Sequence, residues 1–252
     1  MIKAKKHLGQ HFLADKNIAA KIANTLVNQN SIPVLEIGPG TGVLTDELIR
    51  REFNLILIEI DAESVDFLNS KYEKKFELIH ADFLKIPFSS ISNDEVCVIG
   101  NFPYNISSQI FFKVLENRQF VPELVCMIQK EVAERIASGP GNKTYGILSV
   151  FLQLYYKIDY EFTVNENVFI PPPKVKSGVI RLVRFRTSIE GLDERKLINV
   201  VKTAFNQRRK TMRNSLKSMT TPSTDLSHPF FSLRPEQLKP EEFIILTELL
   251  KS

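Results

Sequence analysis

The apolar and polar positions fall into two regimes along the chain. Over the first 130 residues, short apolar runs alternate with helix-period stretches. Val34-Leu35-Glu36-Ile37 is followed by a helix through Leu44, Leu48 and Ile49, then by Leu55–Ile60, Phe76–Ala81, Val96–Ile99 and Leu124–Ile128. Runs that are nearly all apolar predict strands covered on both faces, as in a parallel sheet. Strand and helix alternating at this spacing predict βαβ units and a doubly wound α/β sheet. Tyr145–Tyr156 then predicts a buried helix, and Tyr160–Val164 and Val179–Phe185 two further strands. Between these strands, Phe169-Ile170-Pro171-Pro172-Pro173-Lys174 carries three prolines, which exclude a helix or a central strand and predict a stiff extended loop. After Arg186 the strand pattern stops, and Leu192–Asn206, Arg208–Ser218 and Glu241–Leu250 read as helices. The expected organisation is an α/β domain over 1–186 and a small all-helical domain over 187–252.

Composition narrows the class. A chain of 252 residues that is 43% hydrophobic and 25% charged has the balance of a soluble globular protein. Its longest apolar runs, Leu55–Ile60 and Gly146–Leu154, fall short of the roughly 18 residues of a membrane span. The start, Met1-Ile2-Lys3-Ala4-Lys5-Lys6-His7, is basic with no apolar segment behind it and does not read as a signal peptide. The two cysteines, Cys97 and Cys126, lie inside apolar runs, so a disulfide framework is not expected. The four histidines show no metal-ligand spacing. The expectation is a cytoplasmic, metal-free protein. No heptad pattern or long edge strand argues for more than a monomer.

Net charge is only +4, but it is unevenly spread. Residues 1–10 (Lys3, Lys5, Lys6), 167–189 (Lys174, Lys176, Arg181, Arg184, Arg186) and 202–217 (Lys202, Arg208, Arg209, Lys210, Arg213, Lys217) contain no acid. Any one such stretch also fits a solvated helix face. Three together point to a phosphate backbone, which cations bind largely by releasing counterions.

In a doubly wound sheet, ligands sit at the carboxyl ends of the strands. The first predicted strand runs into Glu36-Ile37-Gly38-Pro39-Gly40-Thr41-Gly42, whose glycines suit a sharp turn and close approach of a ligand to the backbone. The spacing is G-x-G-x-G rather than the dinucleotide G-x-G-x-x-G, which argues against a nicotinamide dehydrogenase. The second strand brings Glu59, 21 residues beyond Gly38, to the place of a ribose-binding acid. Asp82 follows the third, placed to accept from an adenine amine or to cap the next helix. The fourth runs into Asn101-Phe102-Pro103-Tyr104. Here an amide acceptor, a proline-fixed backbone and a flat ring together suit an exocyclic aromatic amine.

These residues resemble the S-adenosylmethionine-dependent methyltransferases that act on amino groups. Three further segments narrow the resemblance: Gly9-Gln10-His11-Phe12-Leu13 is similar to G-Q-N-F-L, Phe169–Ser177 to F-x-P-x-P-K-V-x-S, and Ala204–Leu216 (AFNQRRKTMRNSL) to a C-terminal signature. All three belong to the ribosomal RNA adenine N6-dimethyltransferases, and most resemble the KsgA type that modifies small-subunit RNA. The resemblance implies a Rossmann-like S-adenosylmethionine methyltransferase fold with a small helical domain. It implies His11, Leu13, Gly38, Gly40, Glu59, Asp82 and Asn101 as cofactor contacts. Asn101, Pro103 and Tyr104 would receive the target adenine, and Phe169 would stack on its other face. Lys174, Lys176, Arg208, Arg209, Lys210 and Arg213 are the RNA-phosphate candidates. The substrate it implies is a pair of adjacent adenosines near the 3′ end of 16S RNA in an immature small subunit, each methylated twice, with a part in subunit maturation.

The chain departs from the family pattern in having His11 for the usual Asn and Phe102 for the common Leu. Two rival readings remain. A sister family methylates large-subunit RNA, and the QRRKTMRNSL segment argues against it. A non-catalytic assembly factor could keep the fold, and the intact Asn101–Tyr104 motif argues against that.

Overall fold

A computed structural model describes residues 2–28, 32–73 and 75–250. In chain order the strands and helices are β1 (Phe12–Leu13), α1 (Lys16–Thr25), β2 (Val34–Ile37), α2 (Val43–Ile49), β3 (Leu55–Glu59), α3 (Ala62–Tyr72), β4 (Glu77–His80), β5 (Cys97–Asn101), α4 (Ser107–Glu116), β6 (Glu123–Gln129), α5 (Lys130–Ala137), α6 (Ile147–Tyr155), β7 (Tyr156–Val164), β8 (Phe169–Ile170), β9 (Ser177–Arg184), α7 (Glu194–Asn206), α8 (Met212–Ser215) and α9 (Pro240–Leu249). The chain forms two compact units, Met1–Glu134 with Lys157–Phe185, and Arg135–Tyr156 with Arg186–Ser252.

The first unit holds a seven-stranded sheet in the order β4-β3-β2-β5-β6-β9-β7. The pairs β4/β3, β3/β2, β2/β5 and β5/β6 are parallel, and β9 runs antiparallel to β6 from Glu123↔Val183 to Gln129↔Ser177. The order therefore reverses between β2 and β5. At such a switch point the connections diverge to opposite faces and leave a crevice at the carboxyl ends of both strands. β2, β3 and β5 are buried along almost their whole length, which explains their unbroken apolar runs. Leu57, Ile99, Val125 and Val179 meet Ile22 and Ala23 of α1 in one core. Aspartates start three helices: Asp15 Oδ1 accepts from Asn17 N and Ile18 N, Asp61 Oδ1 from Glu63 N, and Asp193 Oδ1 from Lys196 N.

The proline segment differs from its expectation. Its first two residues form β8, paired antiparallel to β1 as Phe12↔Ile170 and Leu13↔Phe169. Only from Pro171 onward, where proline removes the N–H donors, does the ladder stop. Asp82 starts no α-helix. Its Oδ1 accepts from Leu84 N, and the chain reaches β5 through turns and one short 3-10 helix, Phe88–Ser90.

The second unit is helical, built on α6, α7, α8, α9 and short 3-10 turns. It takes in α6, which the sequence pattern places in the first domain. The helix expected over 208–218 is broken: Arg208–Lys210 form a turn, α8 is a single turn, and Lys217–Met219 is 3-10. Met212 N is committed to Leu233 O at 2.7 Å, and Met212 and Leu216 are fully buried. Burial of those two side chains overrides the helical preference of the basic run.

Candidate active site

The crevice at the switch point is a cavity of about 260 Å³. Its walls come from the glycine loop after β2, the end of β3, the turn after β4, the Asn101–Ile106 segment after β5, and a strap formed by residues 7–12. Gly38, Gly40, Glu59, Asp82, Asn101, Pro103, Tyr104 and His11 all line it. The sheet has thus gathered four strand ends, from Ile37 to Asn101 in sequence, around one space.

The glycine loop is shaped for a ligand. Gly38 (φ +68°) has open space where a Cβ would stand, and Gly40 (φ +57°) would place a Cβ 2.8 Å from the Phe12 ring. Glu59 holds this loop in place. Its Oε2 accepts from Gly40 N at 3.1 Å, and its Oε1 from Ile60 N at 2.8 Å and Asp61 N at 2.9 Å. Burial pushes the Glu59 carboxyl above its usual range, and the three amide hydrogen bonds oppose that. A carboxylate oxygen can accept two hydrogen bonds, and Oε2 accepts one, so it keeps capacity for a further donor. Beneath it, Glu36 is buried and accepts from Thr45 Oγ1 at 2.7 Å. Burial, with Glu59 nearby, pushes it up to about 8. Nothing in the sequence marks Glu36 as the more deeply buried of two adjacent acids. Its register on β2 opposite Leu57 and Ile99 decides that.

The strap is fastened at both ends. Near its start, Lys5 Nζ lies 2.5 Å from Asp61 Oδ1 and 3.0 Å from Glu63 Oε1, and Gln10 Nε2 donates to Asp61 Oδ2 at 3.4 Å. Burial pushes the Asp61 carboxyl up, but the Lys5 and Gln10 hydrogen bonds outweigh it and hold the carboxyl below its usual value. Near the strap's end, Asn101 Nδ2 donates to His11 O at 2.9 Å. An amide nitrogen facing a carbonyl fixes which end is which, so Oδ1 is the acceptor left over, with no partner among the described residues. Pro171 O lies 2.8 Å from His11 Nδ1, which therefore donates, and the imidazole sits 5.6 Å from the Tyr104 ring, tilted by 31°. The Tyr104 hydroxyl and Ser177 Oγ share a hydrogen bond of 2.7 Å, and burial pushes the phenol above its usual range. The sequence pattern does not single out Ser177, Lys5, Gln10 or Asp61 as site residues. Gln10 and Ser177 stand inside motifs already noted, which is the available signal.

Two expected site residues stand elsewhere. Leu13 and Phe169 face each other across the β1/β8 ladder, are 6% and 2% exposed, and belong to the hydrophobic core. Neither lines the cavity. On a strand, successive side chains point to opposite sides, so Phe12 takes the cavity wall and Leu13 the core. The same alternation buries Phe169 and exposes Ile170. Of the cations, Lys174 and Lys176 are exposed in the first unit, and Arg209, Lys210 and Arg213 in the second. Arg208 instead donates to Asn142 O and lies 3.8 Å from Glu236, and Arg213 donates to Leu226 O at 2.7 Å. Both guanidiniums tie the second unit's own loops.

Residues 1–230 match the family described as ribosomal RNA adenine dimethylase. The chain belongs to that family. It is accordingly an enzyme that methylates an adenine amine of ribosomal RNA with S-adenosylmethionine as methyl donor. It is 54% identical over 249 residues to "Ribosomal RNA small subunit methyltransferase A" of Parabacteroides distasonis, covering 98% of this chain and 94% of that protein. It is 53% identical over 253 residues to the protein of the same name from Flavobacterium johnsoniae, covering 100% and 97%. Among solved structures, a dimethyladenosine transferase from Plasmodium falciparum superposes with a TM-score of 0.77 at 27% identity, over 94% of this chain and 95% of that one. The 23S rRNA methyltransferase ErmE superposes with a TM-score of 0.73, also at 27%, over 96% and 100%. The two solved structures stand at the same identity to this chain and differ little in TM-score, whereas the relatives named for the small subunit are twice as similar in sequence.

Proposed function

We propose that this dimethylase converts two adjacent adenosines near the 3′ end of small-subunit ribosomal RNA to N6,N6-dimethyladenosine. The reading rests on one observation above others: Asn101 has its donor occupied by His11 O, which leaves Oδ1 as an acceptor in the cavity that also holds Gly38, Glu59 and Asp82. Full-length identity of 54% to small-subunit enzymes supports the choice of subunit.

The cavity fits S-adenosylmethionine. The open space over Gly38 admits a ligand against bare backbone, and Glu59 and Asp82 line the same cavity, where in this reading Glu59 takes the ribose and Asp82 the adenine. Bound there, the cofactor supplies a methyl group already activated by its sulfonium. The adenine N6 lone pair is delocalised into the ring and is a poor nucleophile. Asn101 Oδ1 and the Pro103 carbonyl accept hydrogen bonds from its N–H groups, favour a pyramidal nitrogen and stabilise the positive charge that develops on it, and the N6 proton that each methyl replaces leaves to water. Fixing that nitrogen in line with the methyl supplies the proximity contribution. Tyr104, held by Ser177, gives the unstacked base a new stacking surface, worth about 1–3 kcal/mol. Lys174, Lys176, Arg209 and Lys210 meet phosphates and position the RNA without reading its sequence. The all-helical unit adds RNA contacts, the substrate is an immature small subunit, and the enzyme works as a cytoplasmic monomer.

The test uses small-subunit particles lacking the modification, with large-subunit RNA as control. Digestion to nucleosides and mass spectrometry should show dimethyladenosine from the small subunit alone. Product from the large-subunit RNA instead overturns the choice of subunit.

A further inference from the structure

The strap carries contacts that methyl transfer itself does not use. Lys5 and Gln10 converge on the single carboxylate of Asp61, one on each oxygen, and Gln10 Oε1 accepts from Lys5 N at 2.8 Å. The strap is thereby closed on itself as well as on α3. The Asp61 side chain is 1% exposed, and the Asp61 N–H donates to Glu59 Oε1 at 2.9 Å. One residue therefore touches both the strap and the acid at the ribose position. Between Lys5 and the anchors at Asn101 and β8, residues 7–12 supply a whole wall of the cavity.

A buried carboxylate without a countercharge is costly, so loss of Lys5 removes the main reason for this end of the strap to lie down. The other end does not depend on it. His11 O stays on Asn101, and Phe12–Leu13 stay in their ladder with Phe169–Ile170. If the wall is closed in only a fraction of molecules, apparent affinity for a ligand that needs it falls by that fraction. The chemistry of molecules that have bound is untouched.

We propose that Asp61 is a positioning residue: gripped by Lys5 and Gln10, it fastens the strap as a wall of the cavity and so sets how tightly S-adenosylmethionine is held, without acting on the methyl-transfer step. The proposal rests on the reading of this cavity as the cofactor site and adds to it a residue that takes no part in the reaction.

The experiment compares wild type with Lys5→Met, Lys5→Arg, Asp61→Asn and the Lys5→Met/Asp61→Asn double variant. Asparagine keeps the cap of α3, so the Asp61 variant folds. Calorimetry gives Kd for S-adenosylmethionine, and methylation of small-subunit particles gives KM and kcat. Lys5→Met should raise Kd and KM for the cofactor about tenfold, the size of one charge-assisted hydrogen bond, with kcat within about twofold. Lys5→Arg should restore both. The double variant should be no worse than the weaker single one, because both remove the same ion pair. The difference between wild type and Lys5→Met should shrink in high salt. An unchanged Kd in Lys5→Met, a kcat that falls as far as KM rises, or additive effects in the double variant overturns the latch and leaves the cofactor assignment standing. Failure of the wild type to bind S-adenosylmethionine overturns that assignment and the latch with it.

Discussion

Asn101 at the end of β5 donates its side-chain amide to the backbone carbonyl of His11, 2.9 Å away and 90 residues earlier in the chain. The bond ties the N-terminal strap to the Asn101–Tyr104 motif. It also explains why asparagine suits this position: one end of the amide is anchored, and the other is presented as an acceptor.

Replacing Asn101 with alanine removes both functions. Loss of one aligned group that stabilises developing charge costs about 10²–10³ in kcat. Single-turnover methylation of small-subunit particles at saturating S-adenosylmethionine checks this. A kcat within about threefold of wild type would place the acceptor elsewhere.

Gly40→Ala should weaken the cofactor site and the fold together. A left-handed φ of +57° costs an L-residue about 1–2 kcal/mol, and the new Cβ would stand 2.8 Å from the Phe12 ring. Gly139, whose φ is not positive and where a Cβ would stand in open space, is the control. Thermal melts with and without S-adenosylmethionine should show a lower Tm and a smaller ligand-induced rise for Gly40→Ala, and neither for Gly139→Ala.

Glu36 makes stability fall with rising pH. Its carboxyl goes from an ordinary 4.5 to about 8 in the folded chain, so between those values the folded state binds more protons than the unfolded state. The contribution is complete below about pH 4.5, is lost as pH rises toward 8, and has a slope of at most about 1.4 kcal/mol per pH unit. Glu36→Gln keeps the acceptor for Thr45 and cannot ionise. Urea unfolding at pH 6, 7 and 8 should show a flatter pH dependence for the variant than for wild type.

Phe169 and Ile170 should separate cleanly. Phe169 is 2% exposed in the core, so Phe169→Ala should cost about 3–5 kcal/mol of stability. Ile170 is 62% exposed, and Ile170→Ala should stay within about 0.5 kcal/mol. Denaturant midpoints decide. A Phe169→Ala variant as stable as wild type but inactive would return that ring to the base pocket.

The cations should divide as their partners do. Lys174→Ala with Lys176→Ala should flatten the slope of log K against log salt for RNA by about 0.7–0.9 for each phosphate left unneutralised, with the melting temperature unchanged. Arg213→Ala should instead lower the melting temperature, since its guanidinium is bonded to Leu226 O. Filter binding across a salt series and thermal melts together test both.

Much of this was legible in sequence because local rules dominate there. The strands read correctly where burial on both faces left only apolar residues, as in β2, β3 and β5. The glycine loop, Glu59, Asp82 and Asn101–Tyr104 were legible as lining one cavity because a doubly wound sheet gathers its strand ends, whatever the order of the strands. The basic segment after Asn206 misled for the opposite reason. Its local preference is helical, and burial of Met212 and Leu216 broke it into a turn and a single helical turn.

The sequence by itself determined the class of sheet and the acids, glycines and Asn101–Tyr104 motif at its strand ends, since each depends on neighbours a few residues away. Only the tertiary structure decided which acid is buried deepest, which of Phe12 and Leu13 faces the cavity, and that Phe169 belongs to the core. It also joined Lys5 to Asp61 and Asn101 to His11. Those outcomes depend on strand register and on contacts between segments 56 to 160 residues apart, where a shift of one residue turns every side chain to the other face.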